Sequence, residues 1–285
     1  ILRDFLKREL LLLVLGPKWI VLKNIWGRRY ILLSATNAKK KKTYFPDLYV
    51  EKSNSVLERL KTLNLFKVSI LRKEMININT LNLSERELWN FLHGLILRGR
   101  SRGTLTFKKN TSSSISQLLG FIITDGSLLS TEGRVKLCQI DLNLILKYVD
   151  IINQEYKTDV PYSFNGKEAN VGSVPLRYIL HKYYKIPLGK KVFTVETPKQ
   201  ILDSKNSEVL KRFIAGLFDG DGYVQYYHCK GSDILDHVNF CISTSSHLLV
   251  KQAIDILDKL GIKCSSLIRG DDNRMTLQTS GFENS

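Results

Sequence analysis

Two apolar segments of this chain share one layout of hydrophobic and polar positions. Residues 118–126 and residues 214–222 are both apolar stretches with glycine in the third position, and both end in Asp-Gly. Apolar residues cover nearly the whole circumference of the helices predicted there, Ile115–Thr124 and Val209–Gly220, which is typical of buried helices. We therefore predict two core helices that each carry a carboxylate to their C-terminal end.

The same order of elements follows each apolar helix. After the first we predict strands at Ser127–Ser130 and Arg134–Ile140, a helix at Leu142–Tyr156, a strand near Val160–Phe164 and a helix around Leu176–Tyr184. After the second we predict strands at Tyr223–His228 and Val238–Thr244, a helix at Leu248–Leu260 and a strand at Cys264–Ile268. This αββα order predicts an α+β fold of two pseudo-symmetric repeats, the single-chain counterpart of a symmetric dimer.

Two polar joints, Lys108–Ser116 and Asp203–Asn206, divide the chain into three expected regions. They are a basic N-terminal extension (1–105), a first repeat (106–203) and a second repeat (204–285). Fewer residues follow the second motif than the first, so we expect the second repeat to be C-terminally truncated, without its last strands or closing helix.

The N-terminal extension is expected to be mainly helical and is a candidate accessory DNA-binding region, with the lysine run Lys39–Lys42 on phosphate. Helices are predicted at Arg3–Leu15, at Ser53–Leu63 and from Ser84, where Ser-Glu-Arg-Glu forms a capping box. The segment Leu92–Ile96 is interpreted as part of an ordinary core helix.

The charge balance indicates a polyanionic partner. The 285 residues include 43 Lys and Arg and 27 Asp and Glu, which gives a formal net charge of +16. This excess of positive charge favours nucleic acid as the partner. The longest apolar run, Leu10–Leu15, is far short of the roughly 20 residues of a membrane span. The spacing of the four cysteines fits neither a zinc site nor a disulfide framework, so reduced thiols in an intracellular protein are expected.

Small residues stand four positions apart on one face of each apolar helix, with Gly120 in the first and Gly216 in the second. Small residues at this spacing let two helix backbones approach closely. We therefore expect the helices to pack on each other through these glycines. If they run in parallel, Asp125 and Asp221 emerge side by side at their C-terminal ends.

Two carboxylates at that position would repel each other and the negative ends of both helix dipoles. A divalent cation relieves this repulsion. Carboxylate oxygens of Asp125 and Asp221, with the backbone carbonyls of Thr124 and Gly220, suit a hard ion such as Mg²⁺. Against a phosphodiester, such an ion activates water and stabilises the departing oxygen.

An Asp-Gly pair is also common turn chemistry. We expect Gly126 and Gly222 to end each helix in the left-handed conformation. One such pair would favour an ordinary turn, but two, each between a buried helix and a predicted strand pair, favour a pair of catalytic acids.

The two segments resemble the paired motifs of the LAGLIDADG homing endonucleases, over residues 106–285. The second is a close match, and the first keeps the glycine, the apolar frame and the final Asp-Gly but carries Ile123 in place of an acidic or small residue. The resemblance implies an αββαββα unit in each repeat, a saddle of antiparallel strands over DNA and Mg²⁺-dependent cleavage of both strands. Asp125 and Asp221 would be the metal ligands, and Asp219 is assigned no catalytic role because its counterpart is Ile123.

Side chains alternate along a strand, so residues at even offsets from each aspartate share one face of the first strand, and alternate residues of the returning strand form the matching set. The predicted DNA contacts on these faces are Ser127, Arg134, Lys136, Tyr223, Gln225, Tyr227 and Asn239. A two-stranded ribbon fits the major groove, where such side chains address base edges or phosphates. For any single residue, a solvated outer face is the alternative.

A lysine pair follows Gly189, before the second motif. The resemblance implies a basic residue near the cleavage centre, and Lys190 is the candidate catalytic lysine that would stabilise transition-state charge or position water. A phosphate contact or an ordinary solvated loop is the alternative.

The partner expected for the whole chain is double-stranded DNA, bound by a monomer. The same fold also serves proteins that bind nucleic acid without cutting, namely RNA-splicing maturases, which would add an intron RNA as partner, and transcription regulators. Both motif aspartates are present, which favours cleavage.

Overall fold

The computed structural model describes residues 11–14, 19–23, 29–33, 48–51, 54–63, 70–72, 75–78, 81, 83–99, 104–129, 133–228, 235–269 and 274–280. The chain forms two compact units, residues 1–44 and residues 45–285. Helices and antiparallel sheets combine in the second unit, which confirms the predicted α+β class.

The first unit contains a three-stranded antiparallel sheet with its middle strand second in the chain. Its strands are β1 (Leu11–Val14), β2 (Trp19–Lys23) and β3 (Arg29–Leu33). The helix predicted at Arg3–Leu15 is wrong where the structure describes it, because a continuous short apolar run does not distinguish helix from strand. The lysine run Lys39–Lys42 lies outside the described residues.

A five-stranded antiparallel sheet with two helices precedes the first repeat. In chain order its elements are β4 (Leu48–Glu51), α1 (Asn54–Thr62), β5 (Ile70–Arg72), β6 (Met75–Asn77), α2 (Glu85–Leu92), β7 (Ile96–Gly99) and β8 (Thr104–Thr106). Across the sheet the order is β5-β6-β4-β7-β8.

Both helices predicted in this region are present, and the capping box at Ser84 is confirmed by reciprocal bonds with Glu87. A mainly helical extension is nevertheless wrong, because strands outnumber helices in the described residues before 107. The core helix predicted over Leu92–Ile96 is also wrong. The helix ends at Leu92, and Gly94 turns the chain into β7 with a left-handed φ of +76°.

The first repeat has the predicted αββαββα order. Its elements are α3 (Ser113–Asp125), β9 (Gly126–Leu128), β10 (Arg134–Leu137), α4 (Leu142–Tyr156), β11 (Tyr162–Phe164), β12 (Ala169–Gly172) and α5 (Val174–Tyr178). One π-helical turn, Ile179–Tyr183, extends α5. The sheet order is β11-β12-β10-β9.

The second repeat follows the short helix α6 (Lys199–Leu202). Its elements are α7 (Ser207–Asp221), β13 (Gly222–His228), β14 (Leu235–Thr244), α8 (His247–Lys259), β15 (Cys264–Arg269) and β16 (Arg274–Ser280). The sheet order, β13-β14-β16-β15, reproduces that of the first repeat. The expectation that this repeat lacks its last strands is wrong, since β15 and β16 pair with each other and β16 pairs with β14.

Helices α3 and α7 pack directly on each other through the predicted glycines. A Cβ atom at Gly120 would lie 2.8 Å from the Leu217 nitrogen, and one at Gly216 would lie 3.0 Å from the Phe121 nitrogen. Any side chain at either position would therefore push the two backbones apart. The hydroxyl of Ser116 adds a buried hydrogen bond of 2.6 Å to the Val209 carbonyl.

The helix-ending glycines have a different role from the predicted one. Gly126 has φ −95° and Gly222 has φ −82°, so both are extended and neither is left-handed. A Cβ atom at Gly126 would lie 2.6 Å from the Ile122 Cα, and one at Gly222 would lie 2.5 Å from the Phe218 ring. These glycines let the chain enter a strand directly against the last helical turn.

Candidate active site

The two motif aspartates lie at adjacent ends of the α3–α7 pair. Both helices end at their aspartate, Asp125 and Asp221. A Cβ atom at Gly220 would lie 2.7 Å from Thr124 Cβ and 3.4 Å from Asp125 Cγ, so the last turn of one helix touches the last turn of the other. The expected parallel arrangement is therefore present, and it brings the two acids together.

Both carboxyls are partly buried, and their pKa values are raised. Burial, and then repulsion from Asp221, raise the pKa of Asp125 to about 6, with Lys191 acting in the opposite direction. Burial also raises the pKa of Asp221, against the attraction of Lys191 and Arg274. Removing an acid from water disfavours its ionised form unless a cation compensates it. The site is thus an electrostatically strained acid pair.

The ammonium of Lys191 reaches the end of α3. Its Nζ donates to the carbonyl oxygens of Ile122 and Ile123, and to that of Thr124 at 3.1 Å. These carbonyls belong to the last helical turn, where a cation offsets the negative end of the helix dipole. The side chain is buried, and burial lowers the pKa of Lys191 to about 8 against the attraction of Asp221 and Asp125.

The structure places Lys191, and not the Lys190 selected from the sequence, beside the acid pair. Lys190 is exposed, whereas Lys191 turns inward and acts electrostatically on both acids. Backbone bonds from Thr194 and Val195 to the Lys191 carbonyl close a turn that fixes this orientation. The adjacent lysines offered no sequence signal that separates the inward side chain from the outward one.

Gln139 is a site residue that sequence reasoning missed. Its Nε2 lies 3.5 Å from the Asp125 carboxylate, and its Oε1 accepts from the Ile140 nitrogen at 2.8 Å. The Cys138 nitrogen also donates to the Asp125 carbonyl at 2.7 Å, which fixes β10 against the end of α3. Gln139 lies two residues beyond the end of β10, where no local pattern marks it.

The oxygen donors suit a divalent cation, with one correction to the predicted ligand set. The carboxylates of Asp125 and Asp221 and the backbone carbonyl of Gly220 are hard oxygen ligands of the kind that Mg²⁺ prefers. The Thr124 carbonyl already receives the Lys191 ammonium, and a second cation at that oxygen would be repelled. Within the described ranges no cluster of three or more His, Cys, Asp or Glu side chains occurs, so a bound ion would keep water or substrate oxygens in its shell.

The first sheet presents its predicted contacts on one face. Ser127 pairs with Lys136 across β9 and β10, two residues along β10 from the exposed Arg134. Lys136 also forms an ion pair of 2.8 Å with Glu168, so part of its charge is compensated within the protein.

In the second sheet, Tyr223 and Gln225 of β13 lie on one face. Their cross-strand neighbours on that face are Cys241 and Asn239 of β14. Tyr223 and Gln225 are half-buried. Asn239 is only 5% exposed, and its Oδ1 accepts no hydrogen bond from the described residues. A buried amide reaches DNA only if its neighbours move aside, so its predicted contact is the weakest of the set. The side chain of Tyr227 lies outside the described part of the chain.

The family comparison matches the second repeat. Residues 208–280, from the second residue of α7 to the end of β16, match the family model described as a LAGLIDADG-like domain. This chain contains a LAGLIDADG-like domain. The match confirms the resemblance drawn from the second motif. The LAGLIDADG-like domain includes Asp221, Gly222 and the whole second sheet. Comparison of the chain with curated proteins finds no significant match.

The solved structures that match this chain include the homing endonuclease I-DmoI. Its complex with DNA and Mn has a TM-score of 0.43 at 20% identity, over 60% of this chain and 91% of that one. A structure of mesophilic I-DmoI variants has the same TM-score and identity, over 60% and 84%. Full-length DUF199/WhiA from Thermatoga maritima has a TM-score of 0.40 at 13% identity, over 59% of this chain and 51% of that protein.

Proposed function

We propose that this protein is a site-specific endonuclease that hydrolyses phosphodiester bonds in both strands of duplex DNA with a divalent cation. The observation that carries the proposal is the convergence of Asp125 and Asp221, each from its own repeat, at touching helix ends. Folding alone gains nothing from two desolvated acids that repel each other.

Asp125, Asp221 and the Gly220 carbonyl would hold the cation, for which Mg²⁺ is the expected ion. Such an ion supplies Lewis-acid activation of water and stabilises the departing oxygen of a phosphodiester. Lys191 compensates the acid pair and contacts the end of α3, and the Gln139 amide lies 3.5 Å from the Asp125 carboxylate. These residues hold the acids in place before substrate arrives, which is the usual basis of electrostatic catalysis.

Duplex DNA is the proposed substrate because two antiparallel sheets of the same order flank the acid pair in a chain of net charge +16. Strand faces with Arg, Lys, Gln and Tyr suit phosphates and base edges. The two repeats differ at most face positions, for instance Ser127 against Tyr223, so the proposed target is a long asymmetric site bound by a monomer. Among the described residues no helix is long and apolar enough to span a membrane.

The test is cleavage of plasmids that carry targets selected from a randomised library, in Mg²⁺ and in EDTA. Wild-type protein should linearise its selected plasmid only with Mg²⁺, and Asp125→Asn and Asp221→Asn should each abolish cutting while DNA binding persists. Asp255→Asn, at an exposed acid on α8, is the matched control and should cut normally. Tight binding by the wild-type protein without any nicking would overturn the proposal in favour of a non-cleaving nucleic-acid-binding protein, such as a maturase or a transcription regulator.

A further inference from the structure

Two exposed apolar side chains stand at the end of the fold that carries the acid pair. Ile140 is 76% exposed and Phe193 is 72% exposed, the two highest fractions among the large hydrophobic side chains of the described ranges. Single exposed apolar residues are common on protein surfaces. These two are distinguished by their position, because each follows closely on a residue that reaches Asp125 or the end of α3.

The position of Ile140 is set by the backbone just beyond β10. Cys138 donates its backbone N–H to the Asp125 carbonyl at 2.7 Å. The Gln139 amide lies 3.5 Å from the Asp125 carboxylate, and its oxygen accepts from the Ile140 nitrogen at 2.8 Å. The exposed side chain of Ile140 therefore stands directly beside the first acid.

Phe193 lies in a connector that crosses the same end of the molecule. Two residues before it, Lys191 donates to the last carbonyls of α3. Two residues after it, the Val195 carbonyl accepts from the hydroxyl of Ser246, the N-cap of α8, at 2.6 Å. Consecutive Cα atoms are 3.8 Å apart, so the Phe193 Cα lies within about 8 Å of both anchored residues. The ring is thus held between the two repeats, next to the acid pair.

The closeness of the two acids selects the groove of DNA that this end can meet. Asp125 and Asp221 stand at touching helix ends, so the scissile phosphates of both strands have to approach one small site. Phosphates of opposite strands lie closer across the minor groove, about 6 Å wide, than across the major groove, about 12 Å wide. An apolar side chain gains nothing from phosphates there, but it can contact sugars and the faces of unstacked bases.

We propose that Phe193 and Ile140 insert as apolar wedges into the minor groove at the centre of the target, where they separate neighbouring base pairs and kink the duplex. This inference rests on the proposed endonuclease function. Phenylalanine and isoleucine are side chains that unstack base steps in this way, at a cost that the further contacts of the bent duplex offset. The kink brings the scissile phosphates towards the acids, and it favours targets with a flexible pyrimidine–purine step at their centre.

The test uses the selected target with 2-aminopurine at its central base step, because the fluorescence of this base rises when it is unstacked. The proteins are the full chain, Phe193→Ala, Phe193→Leu, Ile140→Ala and the control Ile262→Ala, an isoleucine that is 42% exposed beyond the end of α8. Fluorescence and affinity are measured in EDTA, so that no strand is cut. A second duplex carries a mismatched pair at the central step.

The wild-type protein and the control should raise the fluorescence several-fold on binding. Phe193→Ala should lose most of this rise and bind about tenfold more weakly. Ile140→Ala should lose part of it, and Phe193→Leu should keep most of it, since leucine also serves as a wedge. On the mismatched duplex, which costs less to unstack, the affinity of Phe193→Ala should approach that of the wild-type protein.

Two results would overturn this inference and leave the proposed endonuclease intact. They are DNA binding by the wild-type protein without a rise in fluorescence, and a full rise with Phe193→Ala and Ile140→Ala. Absence of binding to the selected target would overturn the proposed function itself, and this inference with it.

Discussion

The hydroxyl of Tyr148 donates to the carboxylate of Asp219 across 2.5 Å, and this bond ties the last turn of α7 to α4 of the other repeat. The same carboxylate accepts from Lys147 at 2.8 Å and from Gln117 at 3.1 Å. The Tyr148 ring stacks on Phe121 of α3 at 4.0 Å. Asp219 therefore links the two repeats by hydrogen bonds. The link is asymmetric, because the residue at the corresponding position of the first repeat is the apolar Ile123.

Replacing this carboxylate should destabilise the fold. Asp219→Asn removes the charge that three donors share and should lower the free energy of unfolding by about 1–3 kcal/mol. Glu208→Gln breaks only the exposed pair with Arg212 on the same helix and should cost no more than about 0.5 kcal/mol. Chemical denaturation at neutral pH measures both, and equal effects of the two substitutions would remove Asp219 from this role.

The stabilisation that comes from the hydrogen bonds to Asp219 should also weaken in acid. Burial raises the pKa of Asp219, but hydrogen bonds from Lys147 and Tyr148 outweigh it and hold the pKa below its ordinary value. The folded state therefore binds this proton less readily than the unfolded state, so the stabilisation is present at neutral pH and is lost as pH falls through the folded pKa. The stability difference between wild type and Asp219→Asn should shrink from pH 7 towards pH 3, and a constant difference would contradict the assigned bonds.

Asp125 should give the opposite dependence. Its folded pKa of about 6 lies above the ordinary value of 3.8, so the folded state binds this proton more tightly than the unfolded state. In EDTA, the wild-type protein should lose stability relative to Asp125→Asn as pH rises from about 4 through 6. Denaturation series of both proteins at matched pH measure the difference, and a relative gain in stability over this range would reverse the assignment.

Lys191 should contribute to stability as well as to the site. Lys191→Met leaves the terminal carbonyls of α3 without the Lys191 ammonium and removes a positive charge that acts on both acids, at an expected cost of about 1–3 kcal/mol. Lys190→Met changes an exposed neighbour of equal charge and should stay within about 0.5 kcal/mol of wild type. A thermal or chemical denaturation comparison decides between the two lysines. A larger effect of Lys190→Met would return the role to the residue selected from the sequence.

The sequence was sufficient wherever a local pattern carried the information. The apolar residues around Gly120 and Gly216 predicted the helix pair. Helix α4 was predicted with the bounds that it has in the structure. Alternation alone placed Tyr223 and Gln225 on one face of β13.

Features set by tertiary context were missed. Strand β16 was missed because its sequence, Arg-Met-Thr-Leu-Gln-Thr-Ser, buries only a few positions and lacks a long apolar run. Gln139 and Lys191 reach Asp125 and the end of α3 through the geometry of a hairpin and a turn, which no spacing in the sequence encodes. Helix ends were also misjudged, since crowding against Ile122 and not a left-handed φ explains the glycine at position 126.

The most direct test of the central claim is calorimetric titration of Mg²⁺ into the wild-type protein, Asp125→Asn, Asp221→Asn and the control Asp255→Asn, without DNA at neutral pH. Two acids that share one ion should produce a binding event in the wild-type protein and the control, and either single substitution at the pair should abolish it. Mg²⁺ binding that survives in either of these two variants would contradict a shared cation site.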